Sequence, residues 1–450
     1  MPAIDRYIIN PNINYDGLNR DNLFSLINRW KRLLIFGHDV KHGDVLALGI
    51  FDVNANHIAC LFAAAELGLK VLIITKPLTR ETIDATKMGI FGPVDITISQ
   101  DLDPDDLHVE MFKRHSKKIC YESEINAVTN DREVNAWPKP DDILIFASTS
   151  GTTGNSKPVL FSHDEVFKIS QRNIDIFGFT KDTIVQQTMN MHHASAMLTY
   201  LLPSLMVCDI HHVGPIAYGP HLYKKVWTPT EFVEQCLSKN KVDTIICSNI
   251  FFLKLLLEGF DQTDVTLDHR VTLNISGFPA TEELYEISKR YPINFISHYG
   301  SIDTGIPLLV NNINESSIYK KNFIGTVPDD FYIIQGNTVK CELWSSPRKI
   351  ADDIVLLNDG YYYNGRETDA LIDDELIQNI KEQNIDFTIT TVGNKKCLVI
   401  WDNPAILETR GTFVNKIFDI IVHLKKQEFI VDTKISMEQL RAYLEHHYAV

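Results

Sequence analysis

The stretch Ser148–Lys157 contains the residue types that bind polyphosphates. It reads S-T-S-G-T-T-G-N-S-K and follows an apolar run, Ile143–Ala147, that is typical of a buried strand. Glycines let backbone N–H groups turn toward an anion, hydroxyl groups donate to phosphate oxygens, and lysine supplies a point charge. A helix is predicted to start at Ser162, because Glu165 three residues later completes a capping box. The sequence therefore predicts a polyphosphate loop between a strand and a helix.

The loop differs from the common nucleoside-triphosphatase loop, G-x-x-x-x-G-K-[ST], which would need two more residues between Gly151 and Gly154. A flexible turn rich in serine, threonine and glycine is the alternative interpretation. The string instead resembles the signature T-S-G-T-T-G-x-P-K-G of the adenylate-forming superfamily, which includes acyl-CoA synthetases, firefly-type luciferases and peptide-synthetase adenylation domains. The matching positions are Thr149, Ser150, Gly151, Thr152, Thr153, Gly154, the free position Asn155, and Lys157. The resemblance implies that these residues hold the β- and γ-phosphates of ATP.

Two further segments resemble the adenine-binding motifs of that superfamily. Ser276–Ala280 resembles the turn G-G-A-P-L, whose backbone lies along the adenine, and His298–Asp303 resembles Y-G-x-T-E. In the second motif the tyrosine stacks on adenine and the acid helps to hold Mg²⁺, which prefers oxygen ligands. The resemblance assigns magnesium to Asp303 and nucleotide contacts to Gly277, Phe278, Pro279, His298, Tyr299, Gly300 and Ser301.

Segments on either side of these motifs resemble the acyl- and ribose-binding parts of the family. His192–Met197 resembles the segment that borders the acyl pocket, which makes His193 a candidate catalytic residue. Ala351–Val355 resembles T-G-D-x-V, so Asp353 is assigned to the ribose hydroxyls, with Asp352 as a competing candidate. Arg366, which ends a segment resembling D-G-Y-x-x-x-G-R, is assigned to the ribose or phosphate.

The family also has a C-terminal lysine that reaches the carboxylate and the α-phosphate. Lys434 fits by position, ahead of a helix predicted over Met437–His447, and it is assigned a catalytic role with Lys157. Lys425 or Lys426 could serve instead, and Lys434 as a solvated surface side chain is the other alternative.

The resemblance implies that ATP and Mg²⁺ activate a carboxylic acid to acyl-AMP with release of pyrophosphate. The acyl group then passes to a thiol of coenzyme A or an acyl carrier protein. The expected acid is aryl or short-to-medium acyl. Transfer to an amine or a macromolecule is a second interpretation, because the C-terminal part is short. A nucleotide-binding module that has lost catalysis is a third, since Ile302 and Pro158 depart from the motifs.

Alternating strand and helix patterns predict an α/β fold. Val45–Ile50, Ala55–Leu67 and Val71–Thr75 form a predicted βαβ unit, which is typical of a parallel sheet covered by helices. The other predicted elements are a helix at Phe232–Lys239, a helix through Leu257, and strands at Thr244–Cys247, Thr272–Ser276, Asn294–Ser297, Cys341–Trp344 and Ile354–Leu357, the last followed by the hairpin turn Asn358-Asp359-Gly360.

The length of 450 residues implies at least two domains. We predict a large domain of layered parallel sheets plus a small β-rich part over residues 1–365, and a small, reduced α+β domain over residues 366–450. The boundary is placed at a turn formed by Asn364-Gly365-Arg366.

The acidic composition disfavours some classes of partner. With 43 Lys plus Arg against 58 Asp plus Glu, the net charge is −15, which argues against a general nucleic-acid or anionic-membrane binder. The seven cysteines include no C-x-x-C pair and are typical of a protein from the reducing cytoplasm. No secretory signal or membrane-spanning stretch is expected.

Overall fold

The computed structural model describes most of the first 366 residues and parts of the remainder. The described residues are 10, 12–15, 17–49, 54–73, 94–101, 107–129, 131–134, 138–148, 158–188, 196–213, 228–247, 250–263, 269–276, 280–302, 305–314, 318–344, 346–350, 352–366, 387–392, 395–401, 420–424, 430–431 and 434–435.

A six-stranded sheet, here called the N-terminal sheet, has the order β6-β5-β3-β4-β7-β8. All neighbours are parallel except β7 and β8, which form an antiparallel pair. The strands are β3 (Val45–Gly49), β4 (Lys70–Ile73), β5 (Ile96–Ser99), β6 (Ile119–Tyr121), β7 (Ile143–Ser148) and β8 (Pro158–Ser162). The predicted βαβ unit is confirmed over its described part, with helix α2 (Ala55–Glu66) joining the parallel strands β3 and β4.

An eight-stranded sheet, here called the central sheet, has the order β14-β13-β12-β11-β9-β10-β1-β2. Its outer pairs β13–β14 and β1–β2 are antiparallel and the inner pairs are parallel. The strands are β1 (Asn14–Tyr15), β2 (Leu18–Asn19), β9 (Ile184–Gln187), β10 (Ile210–Val213), β11 (Thr244–Cys247), β12 (Val271–Ser276), β13 (Ile293–Ser301) and β14 (Gly305–Asn312). The predicted α/β class is thus confirmed. The strand predicted over Asn294–Ser297 is longer than expected, since β13 continues through Ser301.

The two faces of the central sheet pack into different apolar cores. Leu273 and Ile275 of β12 belong to one core together with Phe232 and Leu284. Ile246 and Ile296, on the strands that flank β12, belong to the other core, which also contains Met197 and Tyr200. We call the side of the central sheet that carries Ile246 and Ile296 the inner face. Several buried polar side chains lie on the same side.

Helices cover both sheets and have clear sequence signals at their ends. The remaining helices are α1 (Arg20–Arg32), α3 (Leu107–His115), α4 (His163–Phe177), α5 (Leu202–Val207), α6 (Pro229–Val233), α7 (Ile250–Gln262) and α8 (Glu282–Arg290). The capping box at the start of α4 is confirmed: the Ser162 hydroxyl accepts from the Glu165 N–H at 3.2 Å, and the Glu165 carboxylate accepts from the Ser162 N–H at 2.7 Å. π-Helical turns continue α1 over Leu33–Gly37 and α6 over Glu234–Lys239, and another precedes α5 over Met197–Leu201.

Short antiparallel sheets follow the central sheet. Their strands are β15 (Phe323–Gly325), β16 (Ile333–Gln335), β17 (Thr338–Lys340), β18 (Arg348–Lys349), β19 (Asp352–Leu357) and β20 (Gly360–Arg366). The hairpin turn predicted at Asn358-Asp359-Gly360 is confirmed, because it joins the neighbouring strands β19 and β20. The strand predicted over Cys341–Trp344 is wrong: this segment is a turn closed by the Trp344 N–H donating to the Cys341 carbonyl at 3.1 Å.

The described residues group into two compact units, divided between Asn364 and Gly365. Residues 364–366 were predicted as a turn, and this is wrong, since they end strand β20. In the second unit, β21 (Phe387–Val392), β22 (Lys395–Trp401) and β23 (Ile420–Leu424) form one sheet, and β24 (Ile430–Val431) pairs with β25 (Lys434–Ile435). The helix predicted over 437–447 lies outside the described residues. Among the described helices, none combines the length and apolar character needed to cross a bilayer.

Candidate nucleotide and acid site

The carboxyl ends of the parallel strands in the central sheet are the expected place for a ligand. In open α/β sheets, ligands bind outside these ends, where connections leave the sheet. Strands β12 and β13 are parallel neighbours, and Ser276 at the end of β12 lies opposite His298. The predicted adenine turn at Gly277, Phe278 and Pro279 follows Ser276 directly but lies outside the described residues.

Tyr299 on β13 forms the central contact of the candidate site. Its hydroxyl donates to Asp352 Oδ2 on β19 at 2.7 Å. Tyr299 is half-buried and packs at the edge of an apolar cluster, whereas Asp352 is 9 % exposed. A tyrosine predicted to stack on adenine is therefore held by a carboxylate on a neighbouring sheet, which fixes the orientation of its ring.

This contact bears on the choice between the two adjacent acids. Successive side chains of a strand point to opposite faces, and Asp352 and Ile354 are both buried on one face of β19. The acid beside Tyr299 is therefore Asp352, the competing candidate from the sequence. The backbone of Asp353 lies in β19 and that of Arg366 ends β20, but their side chains are outside the described set.

His298 was grouped with the nucleotide contacts, but the structure separates it from Tyr299. Its side chain lies on the inner face, with Nδ1 at 2.9 Å from the hydroxyl of Tyr200 and its ring edge-on to Phe177 at 5.8 Å between centroids. Burial lowers the pKa of His298 to about 3, so the imidazole is neutral near pH 7. Because consecutive side chains alternate, His298 and Tyr299 lie on opposite faces of β13, and the nucleotide contact predicted for His298 stays a prediction.

The hairpin β13–β14 sets the place of the predicted magnesium ligand. Ser301 lies opposite Gly305 in this antiparallel pair, and the register shifts between Tyr299 and Ser301. Gly300 and Ser301 continue the strand, and Asp303 falls in the short connection, outside the described residues. Strand β13 thus ends two residues after Tyr299, and the connection starts at Ile302.

The predicted phosphate loop connects two neighbouring strands. Ser148 at the end of β7 lies opposite Pro158 at the start of β8, so residues 149–157 start and finish at adjacent positions of the N-terminal sheet. The sequence prediction of a strand before the loop is confirmed, but a second strand, β8, comes between the loop and helix α4. The loop residues themselves, from Thr149 through Gly154 and Lys157, lie outside the described residues, as does His193.

Lys434 lies on a strand of the second unit. It pairs with Val431 across the two-residue connection between β24 and β25, and only its backbone is described. Its predicted catalytic role therefore stays a prediction.

Sequence reasoning did not find the polar groups buried on the inner face. Asn274 is fully buried in β12, and Gln187 is fully buried at the end of β9. Their position on one face follows from strand register, with Gln187 beside Ile246 and Ile246 beside Asn274. The alternation of side chains in β12 could have indicated that Asn274 lies on the opposite face from its neighbours Leu273 and Ile275. The residues that pair with Asn274 on the flanking strands could not be deduced from the sequence.

A separate group on the N-terminal sheet has possible metal-ligand atoms. One ligand atom each from His38, Cys120 and Glu124 lie within 4.8 Å of one another. Both Glu124 oxygens already accept hydrogen bonds, one from the Tyr121 N–H at 2.7 Å and one at 3.1 Å from His38 Nε2. Burial raises the pKa of the Cys120 thiol, and the nearby Glu124 raises it further, so the thiol form is favoured. Glu124 lies in a short 3-10 helix, Glu122–Ala127, and its bond to the Tyr121 N–H is part of the cap of that helix. We interpret this group as a helix-capping and packing arrangement.

Comparisons with known proteins agree with the fold and with the predicted family. The sequence pattern of the AMP-binding enzyme family matches residues 21–338, more than half of the chain. The chain therefore belongs to the AMP-binding enzyme family, and the resemblance to adenylate-forming enzymes is confirmed.

Two curated relatives match parts of the chain. A putative acyl-CoA ligase of Bacillus subtilis is 24 % identical over 169 residues, covering 38 % of this chain and 28 % of the relative. Luciferin 4-monooxygenase of Photuris pensylvanica is 26 % identical over 201 residues, covering 43 % of this chain and 34 % of the relative. The matches thus span about a third or less of the length of these relatives.

Solved structures share the fold over most of the chain. O-succinylbenzoate coenzyme A synthetase (MenE) of Bacillus subtilis in complex with AMP has a TM-score of 0.66 at 14 % identity, covering 98 % of this chain and 97 % of that one. The same synthetase with ATP and magnesium has a TM-score of 0.66 at 15 % identity, covering 94 % and 95 %. At these identities the similarity shows the fold alone.

Proposed function

We propose that this protein activates a carboxylic acid with ATP to form acyl-AMP and pyrophosphate, and then transfers the acyl group to a thiol. The observation that supports this best is the hydrogen bond between Tyr299 and Asp352 at the carboxyl edge of β12 and β13. It brings an aromatic ring and a carboxylate together where the motifs predict adenosine, in a chain of the AMP-binding family.

The first step needs charge control rather than a nucleophilic side chain. A carboxylate oxygen attacks the α-phosphorus of ATP, the bond to the β-phosphate oxygen breaks, and pyrophosphate leaves with the electron pair. Two anions must be brought together, and the negative charge that builds on pyrophosphate must be stabilised. In this proposal the backbone and hydroxyl groups of 149–154 bind the β- and γ-phosphates, and Lys157 supplies a positive charge.

The nucleoside is assigned to residues of the central and short sheets. Tyr299 and the turn at 277–279 hold adenine, and an acid at 352 or 353 accepts the ribose hydroxyls together with Arg366. Because Asp352 is the acid that contacts Tyr299, we favour Asp352 for the ribose. Asp303 offers the oxygen donor that Mg²⁺ prefers, and bound Mg²⁺ neutralises phosphate charge. His193 is assigned to the acyl pocket, and Lys434 to the reacting carboxylate and α-phosphate.

Coenzyme A is the favoured final acceptor, with an acyl carrier protein as the alternative thiol. The support comes from the names of the similar proteins, an acyl-CoA ligase and a coenzyme A synthetase. We expect AMP release to depend on added coenzyme A. Acid-dependent AMP release that coenzyme A leaves unchanged would favour the amine or macromolecular acceptor.

Exchange of labelled pyrophosphate into ATP tests the first step and the two lysines. We expect exchange to require a carboxylic acid, to fall in Lys157→Ala through weaker ATP use, and to be lost in Lys434→Ala while ATP binding persists. Lys113→Ala is the matched control, because Lys113 is exposed and its ammonium pairs with Glu110 of the same helix at 2.7 Å. Absence of acid-dependent exchange in the wild type would contradict the proposed function, and full exchange in Lys434→Ala would contradict only the role of that lysine.

A further inference from the structure

Arg172 is a buried arginine on helix α4 that is held from several sides. Its side chain is 4 % exposed. Nε donates to Asp329 Oδ2 at 2.7 Å, and Nη1 donates to the Pro307 carbonyl at 2.7 Å. The guanidinium carbon lies 5.4 Å from the ring centroid of Phe331 and 4.7 Å from that of Tyr332. A carboxylate, a backbone carbonyl and two aromatic rings therefore fix the position of this guanidinium.

The carbonyl that accepts from Arg172 belongs to an irregular part of the hairpin β13–β14. Tyr299 pairs with Leu309, and the next pair joins Ser301 to Gly305. Between these two pairs, one residue of β13 faces three residues of β14, residues 306–308. This is a β-bulge, which leaves residues of the longer strand without a partner in the ladder and bends that strand. The bulge therefore needs hydrogen bonds from another element.

Helix α4 supplies these hydrogen bonds through two successive side chains. Arg172 donates to the Pro307 carbonyl, as described above. The next residue, Asn173, is fully buried, and its amide donates to the Leu198 carbonyl at 3.1 Å and to the Ile306 carbonyl at 3.4 Å. Buried backbone carbonyls are costly without a hydrogen bond, so these two contacts hold the bulge of β14 against α4.

The two elements that Arg172 joins each follow a segment predicted to contact the phosphates of ATP. The predicted phosphate loop, residues 149–157, leads into β8, and α4 begins directly after β8 at His163. Strand β14 begins two residues after Asp303, the predicted magnesium ligand, and Pro307 lies two residues further along that strand. Arg172 therefore connects the helix behind the phosphate loop to the strand behind Asp303.

We propose that Arg172 is a positioning residue for ATP: it holds the bulge of β14 against α4 and so keeps the connection that contains Asp303 at a set distance from the phosphate loop. This inference rests on the proposed acid activation, in which both segments contact the triphosphate. The two segments must act on one triphosphate together, and misplacing such a group by about 1 Å can cost about 100-fold in rate. Arg172 itself touches neither substrate in this proposal.

Equilibrium dialysis with labelled ATP and Mg²⁺ tests the inference, because it gives both the Kd and the number of binding sites. We expect Arg172→Met to raise the Kd for ATP about tenfold or more with the number of sites unchanged. In pyrophosphate exchange with benzoate or hexanoate as the acid, the KM for ATP should rise in parallel, and the KM for the acid should stay within about twofold. Arg172→Lys should fall between Arg172→Met and the wild type, because lysine keeps the charge but not the planar fork that bonds two acceptors.

Arg290→Met is the matched control. Arg290 also combines a carboxylate partner, Asp261 at 3.1 Å, with an aromatic ring, Tyr291 at 5.0 Å, but its side chain is 69 % exposed at the end of α8. We expect its Kd and KM values to equal those of the wild type. Asp329→Asn is a second variant that keeps Arg172 and removes only the charge of its partner, and we expect a smaller rise in the Kd for ATP. If Arg172→Met does not fold, Arg172→Lys and Asp329→Asn decide the outcome.

The outcomes separate a positioning role from a purely structural one. A purely structural arginine would change the number of binding sites, kcat or Tm and leave the Kd for ATP as in the wild type, and that result would show the inference to be wrong. It is also wrong if the KM for the acid rises as much as the KM for ATP, or if Arg290→Met has the same effect. A wild type that binds ATP but shows no exchange with either acid contradicts the proposed acid activation, and the Kd values still decide the role of Arg172. A wild type that does not bind ATP contradicts both proposals.

Discussion

Individual side chains of the candidate site are held by partners from other strands. The Tyr299 hydroxyl and the Asp352 carboxylate join β13 to β19 across 53 residues of sequence. A hydrogen bond to a charged group contributes about 1.5–3 kcal/mol, enough to orient the ring that we propose stacks on adenine. Asp352 therefore holds the tyrosine in place from a strand of another sheet.

The two adjacent acids give a direct test at the scale of the residue. We expect Asp352→Asn to raise the KM for ATP about tenfold or more, because a ribose contact and the orientation of Tyr299 are both weakened. Asp353→Asn is the matched control, with the same loss of charge one position away, and we expect a smaller effect. The measurement is the ATP dependence of acid-dependent pyrophosphate exchange. A larger effect in Asp353→Asn would return the ribose to the acid first chosen from the sequence.

At the scale of elements, close approach between helices depends on one glycine. Gly259 is buried in α7, and a Cβ built there would lie 2.4 Å from the Pro229 carbonyl oxygen and 2.4 Å from Val233 Cγ2 in α6. Atoms this close must move apart, and one of them belongs to the backbone. The short helix α6 can approach α7 this closely because Gly259 has no side chain.

Gly259→Ala should therefore lower stability although alanine is the better helix former. Helix propensity alone favours alanine by about 1 kcal/mol, whereas forced overpacking costs about 1–3 kcal/mol. We expect a net loss, measured as a lower urea midpoint of unfolding. Gly178→Ala is the comparison variant, because a Cβ added at Gly178 would have no atom within 4 Å. Its φ of +65° means that this substitution costs backbone strain and no overpacking. If Gly259→Ala raised the urea midpoint, the gap between α6 and α7 would be wide enough for a methyl group, and the close contact described here would be wrong.

At the scale of the whole molecule, two buried imidazoles link folding to pH. Burial lowers the pKa of His298 to about 3, and burial together with nearby His212 lowers the pKa of His211 to about 3, from an ordinary value of 6.5. His211 contacts the Ser204 hydroxyl through Nδ1 at 2.9 Å. The folded state therefore excludes protons that the unfolded chain binds below about pH 6.5.

The sign of the pH dependence follows from this difference. Burial of His211 and His298 in their neutral form contributes to the free energy of unfolding fully above pH 6.5. This contribution is lost as the pH falls toward 3, because the unfolded state binds protons that the folded state does not. We expect the urea midpoint to fall between pH 7 and pH 5. Replacing one imidazole, as in His298→Gln, should reduce the slope below pH 6 by up to about 1.4 kcal/mol per pH unit. An unchanged slope would mean that His298 is protonated in the folded state or titrates equally in both states.

Sequence patterns alone determined the class of fold and the family. Apolar runs with β and helical periods gave β3, α2, β11 and β12 to within one or two residues, because local periodicity reports which face is buried. The glycine- and hydroxyl-rich loop, with the motifs behind it, indicated an AMP-binding enzyme, since phosphate binding needs those residue types in close succession.

Only the tertiary structure decided which side chains meet. His298 and Tyr299 are adjacent in sequence, yet strand alternation sends one into the inner core and the other toward Asp352. Asp352 and Asp353 are identical residue types in the sequence, and only the packing of β19 beside β13, a strand of another sheet, places Asp352 against Tyr299. The sequence alone does not show that Asn274 is buried between Ile246 and Ile296, because that depends on how the strands pair. Contacts between residues far apart in the chain depend on register and packing, which local sequence does not encode.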